Sequence, residues 1–347
     1  MKCSVAMSTY NGSAYLCEQL DSILTQTRPV EEIVISDDAS SDQTLEIIRR
    51  YERENPQICW KVLESEKNQG FRRSFRRAIA HCSGELIFLC DQDDVWMKEK
   101  VETMERHFLE NPQMLSLISD FKTIDKEGNL YNAHTEGENL WVSNRVLDAS
   151  ENPVRITLRE MLGRNQGQGC AMAIRSEVAR EYAALEQDWT HDWIINFIAA
   201  MHGGLYFCKE RLFYYRLHGS NVIGMAQGEH AQRRIGPRRK VYEFLLAFKY
   251  SLLQGDGDMC RKNLLNVSMD KYDFVFAHVA CCEDERENLE AFKRLHEKRL
   301  SLIGRKKLFS YLLFWLGNRR FFEENADFAT FEQFAIRLMM DLCAMVK

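Results

Sequence analysis

Proline is scarce in this chain, with five in 347 residues, so no proline-rich linker is available to hold domains apart. None of the eleven cysteines forms a Cys-x-x-Cys pair, and only Cys281 and Cys282 are neighbours, so neither a disulfide framework nor a zinc site is suggested. Reduced, mostly buried thiols are expected instead. Neither sign of charge dominates: 46 Lys and Arg against 51 Asp and Glu give a formal charge of −5, and hence no global reason to expect nucleic acid as a partner. Long apolar runs are missing too. The longest, around Leu308 to Leu316, is broken by Ser310 and falls short of the ~20 residues that span a bilayer. The opening Met1-Lys2-Cys3-Ser4-Val5-Ala6-Met7-Ser8 turns polar too early for a signal-peptide apolar region of about 7–15 residues, so a cytoplasmic location is expected. A Gly-x-Gly-x-x-Gly turn is absent from the first strand-helix junction, which removes the usual phosphate site of dinucleotide dehydrogenases. No repeat occurs at solenoid spacing.

What remains is ordinary globular material, 45% hydrophobic and 28% charged, with length for roughly two domains at ~150 residues each. Cys3 to Ser8 reads as a strand, and Ser13 to Gln26 as a helix with Leu16, Leu20, Ile23 and Leu24 on one face. Ile33 to Ser36 and Cys59 to Leu63 read as further strands, separated by a helix carrying Leu45, Ile48 and Tyr51 with Asp42 as its N-cap. A helix from Phe71 to His81 leads to Leu86-Ile87-Phe88-Leu89-Cys90, a continuous apolar run of the kind a strand buried on both faces shows. This βαβαβαβ alternation predicts a doubly wound α/β sheet whose ligands bind beyond the carboxyl ends of the strands. Between Ser119 and Arg164 periodicity weakens, with a hairpin turn at Asp125-Lys126-Glu127-Gly128-Asn129 and then a long loop. Beyond it come Gly169 to Ile174, a helix around Trp189 to Met201, and two short strands, Leu205 to Cys208 and Leu212 to Arg216. The α/β domain is expected over residues 1–228 and an all-helical region over 229–347.

Four polar clusters fall where strands should end. Ser8-Thr9-Tyr10-Asn11-Gly12 alone is an ordinary glycine turn. Asp37-Asp38-Ala39-Ser40-Ser41-Asp42 places two carboxylates at the tip of an apolar strand, where one can accept the imide hydrogen of a uracil or thymine ring. Asp91-Gln92-Asp93-Asp94-Val95-Trp96 crowds three acids into four residues after the most apolar strand, an arrangement that wants a hard divalent cation bridging to a diphosphate. Asn68-Gln69-Gly70 opens the third helix and can donate to a nucleotide. A fourth set, His191-Asp192-Trp193 with Tyr215 to Asn221, offers a carboxylate for general-base work and an imidazole for a metal shell.

In order and approximate spacing, these clusters resemble the inverting glycosyltransferases of family 2, with the GT-A fold. The acidic turn, His191-Asp192-Trp193 and Tyr215-Arg216-Leu217-His218-Gly219-Ser220-Asn221-Val222 are similar to its rhamnosyltransferase-type branch, which builds bacterial cell-surface polysaccharides. The resemblance covers about residues 1–225, with Ala39 standing where the family often has Gly. It implies nucleotide contacts from Thr9, Tyr10, Asn11, Asp37, Asp38, Asn68, Gly70 and Asp91, with Thr9 and Asp38 on the base. It also implies Mg²⁺ or Mn²⁺ on Asp91, Asp93 and His218, and Asp192 as catalytic base. The implied donor is dTDP-L-rhamnose, with UDP-linked hexoses behind it, and the implied acceptor is a saccharide or lipid-linked saccharide. Loop closure over Asp125 to Asn152, with Trp141, and an acceptor side formed by Gly167 to Cys170 are expected. Basic clusters at Arg233 to Lys240 and Arg305 to Lys307, flanking Phe244, Leu245, Phe248, Phe314 and Trp315, suit either a solvated helical cap or peripheral membrane contact. A nucleotidyltransferase and a non-catalytic sugar-nucleotide-binding subunit are the competing readings.

Overall fold

The computed structural model describes residues 1–130, 142, 144–163, 165–185, 190–218, 277 and 279–304. The chain divides into two compact units, residues 1–157 with 165–225, and residues 158–164 with 226–347. Sequence places the boundary at 228; the compact units place it after 225 and assign the short stretch 158–164 to the second unit.

In the first unit β1 (Cys3–Thr9), α1 (Leu16–Leu24), β2 (Glu32–Asp37), α2 (Thr44–Glu54), β3 (Cys59–Glu64), α3 (Phe71–His81) and β4 (Leu86–Cys90) alternate as the periodicity demands. Every residue of β2 and β4 is buried, which is why their sequences carry no polar alternation in mid-strand. β1 pairs in parallel with both β2 and β4, and β2 with β3. The register sets Thr9 against Asp37 and Met7 against Cys90, so the loops following these three strands emerge at one edge. That edge carries the candidate site.

The sheet then becomes mixed. β5 (Val95–Trp96), α4 (Lys100–Glu110), β6 (Ser116–Ile124), α5 (Asn144–Asp148), β7 (Val154–Arg155), β8 (Met172–Arg175), α7 (Ser176–Ala184), α8 (His191–Met201) and β9 (Leu205–Arg216) complete the unit. The strand order is β3-β2-β1-β4-β8-β6-β9-β5, with β7 also on β9. β8 runs antiparallel between β4 and β6, and β6 pairs in parallel with β9.

Three local expectations change. Leu205 to Arg216 is one strand rather than two, because the polar Lys209-Glu210 pair is accommodated in a bulge where the partner of Ser119 is Cys208 and that of Asp120 is Arg211. The weakly periodic stretch after Ser119 is not all loop: β6 runs on to Ile124, the turn closes with Gly128 N donating to Asp125 O at 3.1 Å, and α5 and β7 follow. Asp42 is not the cap of α2, whose cap position is Gln43; the carboxylate instead accepts from Thr44 N at 3.0 Å and from Ser13 N at 3.1 Å, tying two loops together.

In the second unit α6 (Leu158–Gly163) packs against α9 (Glu283–Gly304). No helix among the described residues is long and apolar enough to cross a membrane. Trp141, both basic clusters, and Phe244, Leu245, Phe248, Phe314 and Trp315 lie outside the described residues.

Candidate active site

The loops at the strand ends are stapled to one another. Asn11 N donates to Ser40 Oγ at 2.9 Å, Ser41 N to Asn11 Oδ1 at 2.8 Å, and Gly12 N to Thr44 Oγ1 at 2.8 Å. Thr9, 1% exposed, donates its hydroxyl to Asp37 Oδ2 at 2.8 Å, and Asp37 also accepts from Ser40 N and Ser40 Oγ. These two residues therefore shape the loop from beneath. Asp38 accepts from Gln69 N at 2.8 Å through one oxygen and from Gly70 N at 2.7 Å through the other, which brings the Asn68 to Gly70 segment onto the tip of β2. Each of those oxygens keeps a second lone pair for a ligand. Asn68 is exposed, and its Oδ1 accepts from Gly70 N at 3.1 Å.

The acidic turn is registered against β1 by one side chain. Gln92 Oε1 accepts from Tyr10 N at 2.8 Å, and its Nε2 donates to Tyr10 O at 3.1 Å, while Tyr10 stays 47% exposed. Gly12 makes this approach possible, since a Cβ there would stand 2.1 Å from Gln92 Oε1.

Within the turn the acids differ. Asp94 is buried; Oδ1 accepts from Arg216 N at 3.1 Å, while Oδ2 has no hydrogen-bond partner. Burial, with Asp93 and Asp91 close by, holds its carboxyl well above the usual range. Burial and the neighbouring Asp93 push Asp91 up to about 7, and Asp192 adds to that repulsion. Asp93 instead meets His218, Nε2 to Oδ2 at 2.8 Å. Donor atoms of Asp91, Asp94 and Cys170 lie within 4.8 Å of one another. Crowded, high-pKa carboxyls with an orphaned oxygen fit a divalent cation, which would relieve their mutual repulsion. Sequence reasoning singled out Asp91, Asp93 and His218 for that cation; the structure brings Asp93 and His218 into contact and sets Asp94 and Cys170 beside Asp91.

Lys100 and Arg216 support the turn from below. Lys100 is fully buried, donates to Cys170 O at 2.8 Å, and lies 4.4 Å from the ring centres of both Trp96 and Phe213. Desolvation lowers its pKa to about 8. Arg216, 1% exposed, donates Nε to Asp93 O at 2.8 Å and pairs through Nη2 with Glu18, while its guanidinium lies 4.8 Å from the Tyr15 ring centre. Neither role was read from sequence, where one lysine at a helix start and one arginine in a strand carry no pattern.

Asp192 sits in the first turn of α8, where the helix dipole favours a carboxylate. A partly buried relay orients it: Ser116 Oγ donates to Asn196 Oδ1 at 3.2 Å, Asn196 Nδ2 donates to Asn165 Oδ1 at 3.2 Å, and Asn165 Nδ2 donates to Asp192 Oδ2 at 2.8 Å. Next to it His191, 6% exposed, stacks on Phe75 with ring centres 4.0 Å apart and has no hydrogen bond to either nitrogen. Burial lowers its pKa. Gly169 admits that ring, because a Cβ at 169 would stand 2.2 Å from His191 Nε2. The Gly167 to Cys170 segment thus packs tightly, Gly169 against His191 and Cys170 against the acidic turn.

A parallel α/β half with acidic strand-end loops, continued by a mixed half carrying a carboxylate at a helix start, defines the GT-A class of fold. The sequence family described as "Glycosyl transferase family 2" matches residues 4–180. The chain belongs to glycosyltransferase family 2. It is 27% identical over 226 residues to an uncharacterized glycosyltransferase of Nostoc sp., covering 64% of this chain and 66% of that one. It is 25% identical over 230 residues to the dTDP-rhamnosyl transferase RfbG of Shigella flexneri, covering 63% of this chain and 73% of that protein. The crystal structure of S. aureus TarS 1–349 in complex with UDP superposes with a TM-score of 0.50 at 21% identity, covering 62% of this chain and 61% of that one, a likeness of fold. The chain thus spans just under two thirds of the Nostoc and TarS chains.

Proposed function

We propose that this unit transfers a sugar from a nucleoside-diphosphate donor to a saccharide or lipid-linked saccharide hydroxyl, with inversion at the anomeric carbon, in cell-surface polysaccharide synthesis. The observation that carries this is a crowded acidic turn at the strand ends together with a carboxylate at the start of α8 held by Asn165. The donor's diphosphate then lies at the turn and the acceptor on the α8 side, which a single displacement requires. Asp192 takes the acceptor hydroxyl proton as the oxygen attacks and the sugar-phosphate bond breaks. Asp38 and the loop amides orient the base, Tyr10 lies open beside it, and the stapled loops keep the donor from drifting. Asp91, Asp93 and His218, with Asp94 adjacent, would hold Mg²⁺ or Mn²⁺, which supplies charge neutralisation at the departing diphosphate. The 25% identity to RfbG makes dTDP-L-rhamnose the leading donor, and UDP-hexoses stand second. A cytoplasmic location, with peripheral membrane contact through the C-terminal helical region, suits a lipid-linked acceptor and belongs to the same proposal.

The test is mass-spectrometric detection of transfer from dTDP-L-rhamnose, UDP-glucose, UDP-galactose and GDP-mannose to membrane-extracted acceptors, with Mn²⁺ and with chelator. The expected result is metal-dependent transfer from one donor, with kcat about 10²–10⁴-fold lower in Asp192→Asn and nucleotide affinity unchanged. Equal turnover in that variant would remove Asp192 from the role of base.

A further inference from the structure

The first unit carries a second cluster of metal-type ligands, away from the acidic turn, that glycosyl transfer does not use. It joins the last turn of α4 to the bulge of β9. His107 and Cys208 are buried, Glu210 is one third exposed, and one donor atom from each lies within 4.8 Å of the others. His107 Nε2 and Glu210 Oε1 are 3.2 Å apart, about the separation of two ligands sharing one small ion.

We propose that His107, Cys208 and Glu210 form a zinc site that clips α4 to β9. The ligand chemistry selects the ion: a thiolate and an imidazole favour a borderline-soft metal, whereas Mg²⁺ and Mn²⁺ prefer all-oxygen shells. One thiolate and one carboxylate around a neutral imidazole balance the charge of Zn²⁺, with water in the fourth position on the exposed Glu210 side. Binding forms bonds from zinc to sulfur, nitrogen and oxygen, and the Cys208 thiol proton leaves to solvent.

One further observation supports a built site rather than a chance grouping. Glu210 is oriented beforehand: its other oxygen accepts from Asn152 Nδ2 at 2.9 Å, and Asn152 Oδ1 accepts from the bulge amide Lys209 N at 2.9 Å. The bulge, which sets the partners of Ser119 and Asp120 at Cys208 and Arg211, is what presents this pair of ligands. Sequence spacing hides the site, since His107 and Glu210 are 103 residues apart and no Cys-x-x-Cys signature marks it.

The test uses the full chain, stripped by chelation and titrated with Zn²⁺ and then with Co²⁺, whose thiolate bonds give a near-ultraviolet charge-transfer absorption. The expected result is one tightly held zinc per chain, raised thermal stability, and a cobalt-thiolate band lost in Cys208→Ser but kept in Cys170→Ser. Glu210→Gln, at a partly exposed position, should keep the band and bind zinc at least tenfold more weakly, so the proposal stays open to refutation if Cys208→Ser fails to fold. Absence of the band overturns the site, as does unchanged zinc affinity in Glu210→Gln. A band lost only in Cys170→Ser also overturns it and places the metal at the acidic turn. An unchanged Cys208→Ser spectrum leaves His107 and Glu210 as a plain ion pair.

Discussion

Ala39 adopts φ 65°, a left-handed backbone conformation that Gly accepts freely and a β-carbon makes costly. Gly at this position should relieve that strain, so Ala39→Gly is expected to stabilise the protein by about 0.5–1 kcal/mol in chemical denaturation. Destabilisation would show that the loop depends on the methyl group. Glu32 makes a different residue-scale case at the start of β2. Burial alone would raise its pKa, but hydrogen bonds from Lys61, Ser4 and Ser83 outweigh that and hold it down to about 2. A depressed carboxyl contributes stability that is present above its unfolded pKa and lost as pH falls through the folded value, here between about 4.5 and 2. After discounting for the partly exposed Lys61, that limb should amount to about 1–2 kcal/mol, and Glu32→Gln should flatten it in acid titrations followed by circular dichroism. A limb of unchanged depth would assign acid sensitivity elsewhere. Legibility at this scale is uneven. Asp91 and Asp93 stood out as candidates because charge crowded after an apolar strand is costly unless something binds it, whereas Asp192, at a helix start, stood out only through the family resemblance. Lys100, Asn165 and Asn196 were not, since their roles arise only from what the fold sets beside them.

At the scale of elements, α8 depends on the segment that packs against its first turn. A methyl at Gly169 would displace the His191 ring, and with it the adjoining carboxylate of Asp192. Gly169→Ala should therefore lower kcat by about 10²-fold while leaving nucleotide binding intact, a split read from steady-state kinetics and calorimetry. Equal loss of both would mean that the change spreads to the donor loops. Elements themselves were legible where one period dominates. α3 and β4 run from Phe71 to His81 and from Leu86 to Cys90, as the amphipathic spacing and the continuous apolar run require. β9 was read as two strands because its bulge interrupts the apolar pattern with Lys209 and Glu210. β6 went unread, and the stretch from Ser119 read as weakly periodic, because Asp120, Phe121 and Lys122 are only half-buried, which blurs the alternation a strand otherwise shows.

Across the whole first unit, Arg216 connects the end of β9 with the acidic turn, the turn at Asp125 and Lys126, and α1 through Glu18. Replacing it by Met would leave the Asp93 carbonyl short of a donor, while the exposed Glu18 carboxylate returns to water, and should cost about 1–3 kcal/mol in thermal or chemical unfolding. A cost below 1 kcal/mol would show that the turn is held by Gln92 and Lys100 alone. The parallel half of the sheet was legible as a whole because each strand and helix is local in sequence. The mixed half was not, because β8 inserts between β4 and β6, and β9 then pairs with β5 across a long stretch of chain. If the acidic turn is where a nucleoside diphosphate and its metal bind, nucleotide affinity must fall when either the metal or an acid of that turn is removed. The decisive measurement is isothermal titration of dTDP and of UDP into the protein with Mn²⁺ and with chelator, repeated for Asp93→Ala. The expected result is metal-dependent binding of at least one nucleotide, weakened tenfold or more in the variant. Binding of equal strength with chelator present, and undiminished by Asp93→Ala, would contradict it.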